Sequence, residues 1–266
     1  MTEESVVGER LVLIGAGGLA TSLAFGLQRY WQEGQLVQIY SPGGASAREL
    51  ARQLGGSVSV ASTLDEVETE ATGYILAVPD DALAEVAEAL SARVKGYLLH
   101  CSGATPLEVI SSRHPRSGVL YPLSTFSRGR VVDTKEVPFY LEVAEEALTP
   151  SLARLAQALA EEIHWASSEQ RLILHLGAVI ACNFSNHLIA ISEHLLQQYD
   201  LPPKALLPLL DEMIDKLHRL PAQAAQSGPA RRGDVRTIDR HRAVLAGQEE
   251  LLRIYDLFTE RIRRTN

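Results

Sequence analysis

The chain has 266 residues, 46% apolar and 22% charged, the make-up of a globular protein rather than a disordered or fibrous one, and its two cysteines, Cys101 and Cys182, are too few for a disulfide framework. A net charge of −8 repels a phosphate backbone, so no nucleic-acid partner is expected. No charged-then-apolar leader is read, and even the most apolar stretch, 172–188, is broken by His175, Asn183, Ser185, Asn186 and His187; the expectation is a cytoplasmic protein with no membrane partner.

Through residue 166, short aliphatic runs alternate with amphipathic segments, the pattern of parallel strands joined by crossover helices. Strands are expected at 11–14, 36–40, 57–61, 74–78, 97–100, 118–121, 138–143 and 163–165. Thr63 followed by Glu66 fits a capping box, and Asp80-Asp81 opens a helix where acidic groups are favourable. From Ser168 the apolar residues recur at helical spacing instead, through 172–196, 205–217 and 243–262, with Pro208 near a first turn or a kink. The expected fold class is therefore α/β, a doubly wound, mostly parallel sheet over residues 1–166, followed by an all-α domain over 167–266. The first part carries −9 and the second +1. A helix from 172 to 198 is a rod of about 40 Å, too long for one small domain to bury, so a homodimer through the C-terminal helices is expected.

In chain order, the first chemical motif is Gly15-Ala16-Gly17-Gly18-Leu19-Ala20, set between a buried strand and an apolar helix. Gly15 permits the tight turn, Gly17 the approach of a diphosphate, and Ala20 the close packing of helix on strand, so dinucleotide binding is expected. The alternative is a glycine turn holding another adenine cofactor, such as a methyl donor. The second strand ends in Tyr40-Ser41-Pro42-Gly43-Gly44, with no carboxylate to hold the ribose hydroxyls of NAD. Ser41 and the small loop leave room for a 2′-phosphate that Arg48 could pair with, which favours NADP over NAD, although Arg48 also reads as a solvated helix residue. Val78 and Pro79 end the fourth strand at the ligand edge of the sheet, and the aspartates after them read as helix caps.

After the fifth strand, His100-Cys101-Ser102-Gly103 offers a titratable group, a hydroxyl and exposed amides to a carbonyl or carboxylate; a histidine closing a strand is also a common structural residue. Tyr121-Pro122-Leu123-Ser124-Thr125-Phe126 reads as a pocket wall or as packing. On the first C-terminal helix, His175 and Asn183 interrupt an apolar surface and need partners. Asn183 is the candidate to polarise a carbonyl or imine, and His187 is assigned to cross-helix hydrogen bonding. Five arginines fall between Arg231 and Arg242 around Gly233-Asp234, so Arg232 and Asp234 are candidates for an anion-binding loop; the alternative is a solvated turn with Thr237 capping the last helix. No His/Cys/Asp cluster has metal-ligand spacing.

These segments together resemble a family with a Rossmann-like NADP-binding domain joined to a helical domain of unknown function, labelled NADP oxidoreductases. In layout the chain is similar to the 6-phosphogluconate dehydrogenase C-terminal-like superfamily, including β-hydroxyacid dehydrogenases, ketopantoate reductase and pyrroline-carboxylate reductase. The resemblance implies hydride transfer between NADP(H) and the C=O or C=N of a small, anionic metabolite, with a helical tail that dimerises and closes the site. β-Hydroxyacid dehydrogenases hold substrate on a serine turn and place a lysine one turn before an asparagine; Ser102 and Asn183 match, but Val179 stands where the lysine would be. The proton donor then falls to His175 or His100, and a non-catalytic NADP-binding sensor is the competing expectation.

Overall fold

Runs that are apolar at every position, such as Leu11-Val12-Leu13-Ile14, become strands buried on both faces, because crossover helices cover each side of a parallel sheet. The computed structural model describes residues 8–265. Its order is β1 (Glu9–Ile14), α1 (Gly18–Tyr30), β2 (Gly34–Tyr40), α2 (Ala45–Gln53), β3 (Ser59–Ala61), β4 (Gly73–Leu76), α3 (Asp80–Ser91), β5 (Tyr97–His100), α4 (Glu108–Ser111), β6 (Ser117–Pro122), β7 (Phe139–Val143), α5 (Thr149–Leu159) and β8 (Ile163–Trp165). One eight-stranded sheet results, in the order β3-β2-β1-β4-β5-β6-β7-β8, parallel throughout except for the antiparallel β6–β7 pair. Alternate residues serve opposite cores: Leu11 and Leu13 pack with α1, α2 and α5, while Val12 and Ile14 pack with α3. The order reverses direction at β1/β4, so the edge beyond the carboxyl ends of these strands is where such sheets bind ligands.

All eight expected strands form, with ends shifted by a few residues at most. Asp80 and Asp81 do occupy the first turn of α3. The expected capping box at Thr63 does not form: the segment Leu64–Glu66 is a single 3₁₀ turn, the Thr63 side chain makes no cap bond, and the Glu66 carboxylate accepts the Ser62 N–H at 2.7 Å instead. A complete capping box occurs at Ser167 and Gln170, at the start of the C-terminal helices.

That helical run continues through α6 (Ser168–Ala178), a π-helical segment (Val179–Phe184) and α7 (Ser185–Gln198). As one 31-residue helix, Ser168–Gln198, it is long and apolar enough by length and composition to cross a membrane, with a mean hydropathy of 1.5 over its best window. It does so on length and mean composition alone; as expected, it holds no run of about 20 uninterrupted apolar residues, because His175, Asn183, Ser185, Asn186 and His187 break it.

The chain divides into two compact units, Met1–Ser185 and Asn186–Asn266, so α6 and the π segment group with the sheet, whereas the sequence set the boundary after residue 166. The second unit continues from α7 through α8 (Leu207–Leu217), α9 (Ala222–Ala225), α10 (Pro229–Arg232), α11 (Val235–Val244) and α12 (Glu249–Thr265). Pro208 sits in the first turn of α8, as its lack of an N–H allows. The helix expected at 243–262 is instead two, broken where Gly247 takes φ +86°, a conformation that disfavours any other residue.

Candidate functional site

The glycine turn between β1 and α1 is fixed by steric demands at each of its positions. Gly15 has φ +120°, and a Cβ there would lie 2.3 Å from the Ala77 carbonyl oxygen, so the turn folds tightly against the end of β4. Gly17 caps α1 with a Cβ direction that meets nothing within 4 Å, leaving the first amides of Gly18, Leu19 and Ala20 at an open helix N-terminus. Ala20 is fully buried against the sheet. This is the cradle a diphosphate fits: an open approach, free amides and a helix dipole.

Two cavities flank that turn. One, of about 710 Å³, is lined by Leu19, Val78, Asp80, Cys101, Ser102, Gly103, Tyr121, His175, Val179, Cys182 and Asn183, with residues 122–127 as a further wall. The other, of about 460 Å³, is lined by Ala16, Gly17, Thr21, Ala45, Ser46, Glu49, Arg128 and Gly129 among others. A dinucleotide placed on the turn has a compartment at either end.

In the first cavity, Tyr121 on β6 and His175 on α6 form a pair. The phenol oxygen lies 3.3 Å from His175 Nδ1, with the rings edge-on at centroids 6.3 Å apart. Gly103 makes this approach possible, since a Cβ on it would fall 2.6 Å from the Tyr121 ring and 2.9 Å from His175 Nδ1. Burial raises the Tyr121 hydroxyl above its ordinary pKa, keeping it protonated as a donor. Asn183 joins His175 through the π segment. Eight residues of α-helix would set them about 80° apart, and turns that take an extra residue rotate Asn183 back toward His175.

Arg171 fixes the helix that carries His175. It is fully buried, ion-paired to Glu142 on β7, and donates from Nε to the Ser102 carbonyl at 3.1 Å and from Nη2 to the Thr105 carbonyl at 2.6 Å. The Ser102 turn and α6 are thereby tied together one helical turn before His175. Arg171 and Glu142 were not singled out by sequence, whereas Tyr121 opens the segment expected as a pocket wall or as packing and does line the cavity. The available signal was an arginine in the first turn of an otherwise apolar helix.

The other expected residues are distributed as follows. Ser102 lines the cavity, but its hydroxyl is engaged in its own turn, donating to Thr105 Oγ1 at 2.9 Å and accepting the amides of Ala104 and Thr105. His100 is fully buried and is not among the residues lining the cavity. Its Nδ1 accepts the Ser102 amide at 3.2 Å, Nε2 has no hydrogen-bond partner among the described residues, and burial, with Arg171 nearby, lowers its pKa to about 3. The expectation that it titrates near neutrality is therefore corrected. Val78 lines the cavity and Pro79 caps α3. Ser41 is buried, and its Oγ accepts the Ala47 amide at 3.0 Å; Arg48 donates to the Gly43 carbonyl at 3.1 Å. Arg232 and Asp234 belong to the second unit, where Asp234, not Thr237, is the helix cap: its carboxylate accepts the Thr237 amide at 3.1 Å and hydroxyl at 2.8 Å.

Comparison with known proteins accords with this geometry. Residues 10–99 match the model described as NADP oxidoreductase, coenzyme F420-dependent, and residues 137–262 match a domain of unknown function (DUF2520). The chain is similar to the crystal structure of a candidate NADP oxidoreductase from Bacteroides fragilis, with 38% identity, a TM-score of 0.89, and coverage of 98% of this chain and 100% of that one. A protein from Thermotoga maritima at 23% identity (TM-score 0.73, 96% and 97% covered) shares the fold. So does a reductive aminase from Aspergillus terreus, solved with NADPH and ethyl-5-oxohexanoate, at 15% identity (TM-score 0.70, 97% and 94% covered). No curated protein matches the sequence.

Proposed function

Because this chain belongs to the family that joins an NADP oxidoreductase domain to a C-terminal domain of unknown function, we propose that it transfers a hydride between NADP(H) and the C=O or C=N carbon of a small metabolite. The observation that carries the reading is the pair of cavities on either side of the glycine turn, one of them walled by Tyr121, His175 and Asn183. Gly17 and the amides at the start of α1 would hold the diphosphate, and Leu19 and Val78 would bound the nicotinamide end. When bound there, the nicotinamide supplies or accepts the hydride.

The chain's own residues do the rest. In the reductive direction the electrophilic carbon gains the hydride, and its oxygen or nitrogen takes a proton from His175. Tyr121, held 3.3 Å from Nδ1 and kept protonated by burial, orients the imidazole, which is reprotonated from solvent between turnovers. Asn183 donates from its side-chain amide to the carbonyl or imine and polarises it. Leu19, Val179 and Phe126 supply apolar wall that limits water.

Titration with NADPH, NADH and the reduced deazaflavin coenzyme, followed by a screen of ketones, aldehydes and imines for nicotinamide oxidation, tests the reading. His175→Ala is expected to bind NADPH as the wild type does and to lose turnover by about 10²- to 10⁴-fold. Full activity in that variant removes His175 from the mechanism. A second reading, an NADP-binding sensor without turnover, draws on Val179 in place of the dehydrogenase lysine; NADPH binding with no oxidation by any carbonyl or imine in the screen would favour it.

A further inference from the structure

We propose that Arg128, carried on a strap across the glycine turn, recognises the 2′-phosphate of the adenosine ribose and sets the preference for NADP over NAD. The assignment rests on the nucleotide-binding reading above and locates its selectivity.

After β6 the chain passes over the start of α1 before returning to the sheet. A Cβ on Gly18 would lie 2.8 Å from the carbonyl carbon of Ser127 and 3.0 Å from that of Phe126, so strap and helix meet backbone to backbone. The Val132 amide donates to Ser22 Oγ at 3.1 Å, and the Arg130 amide to the Ser127 carbonyl at 3.3 Å around Gly129, which has φ +81°. The strap thus contributes to both compartments: Phe126 and Ser127 line the cavity of Tyr121 and His175, whereas Arg128 and Gly129 line the other, between the starts of α1 and α2.

Ser41 and Arg48, the groups expected beside a 2′-phosphate, do not line that second compartment: the Ser41 hydroxyl is committed to the Ala47 amide, and Arg48 is bonded to the Gly43 carbonyl. Glu49 is the carboxylate on the wall, and it is held by Arg52 at 2.8 Å and Gln53 at 2.8 Å, which lowers its pKa and offsets its charge. Among the described residues, no hydrogen bond or ion pair engages the Arg128 guanidinium. A planar fork of donors suits a phosphomonoester dianion, and gains much less from a ribose hydroxyl.

The test is fluorescence-detected binding of NADPH and NADH to the wild type, Arg128→Gln, Arg128→Lys and Arg48→Gln. Arg128→Gln should weaken NADPH binding about 10- to 100-fold while leaving NADH within about twofold, with Arg128→Lys intermediate and Arg48→Gln close to wild type. Adenosine 2′,5′-bisphosphate should compete with NADPH for the wild type and poorly for Arg128→Gln. Equal losses for both nucleotides, no loss for either, or discrimination that moves with Arg48 overturns the assignment while nucleotide binding stands. A wild type that binds neither nucleotide overturns the reading beneath it as well.

Discussion

Arg171 and His100 lie fully buried on the two sides of the Ser102 turn. Arg171 is matched by Glu142 and two carbonyl groups; among the described residues His100 has a hydrogen-bond partner on Nδ1 alone. Since burial lowers the folded-state pKa of His100 to about 3, it stays neutral in the fold while the unfolded chain takes up a proton below about 6.5. Its contribution is thus fully present above about pH 6.5 and falls as pH drops toward 3, by up to about 1.4 kcal/mol per pH unit. Urea unfolding across that window should show a shallower pH slope for His100→Asn than for the wild type; an identical slope would mean that the imidazole protonates in place. These residues also mark the limit of the sequence. Arg171 gives no signal in the sequence because its partner Glu142 is 29 residues away in the chain, and Tyr121, read as a pocket wall or as packing, could not be paired with His175 because that approach depends on the missing side chain of Gly103.

At the scale of elements, the glycine turn makes two glycines testable in opposite ways. Gly15→Ala puts a methyl into the Ala77 carbonyl at positive φ and should destabilise the fold, by about 1–3 kcal/mol or more. Gly17→Ala has open space and φ −84°, so the melting temperature should hold within a few degrees while NADPH affinity falls at least about tenfold. Unchanged affinity in Gly17→Ala would show that no ligand approaches the turn there. The strands were legible because a strand buried on both faces is apolar at every position, and the turn because its glycines sit between such a strand and a helix. The strap and the π segment were not. The strap's path is set by its contact with Gly18, and the π segment lies inside a run whose apolar spacing reads as uninterrupted α-helix.

Across the whole molecule, the unresolved demand is apolar surface. Leu172, Ile173, Leu176, Ile180 and Phe184 are exposed along the first C-terminal helix, and Leu209, Met213, Leu257 and Phe258 within the second unit. Such surface on one chain calls for cover, and we propose a second copy as that cover, joined through the C-terminal helices. Light scattering coupled to size exclusion should give twice the chain mass at micromolar concentration; a monomer, or recovery only in detergent, would count against the dimer. Whether one nucleotide fills the two compartments on either side of the glycine turn is decided by a crystal structure with bound NADPH. The diphosphate should lie on the first amides of α1, the adenosine phosphate toward Arg128, and the nicotinamide in the cavity of Tyr121, His175 and Asn183. A nicotinamide lying outside that cavity, or a nucleotide bound away from the turn, would rule this placement out.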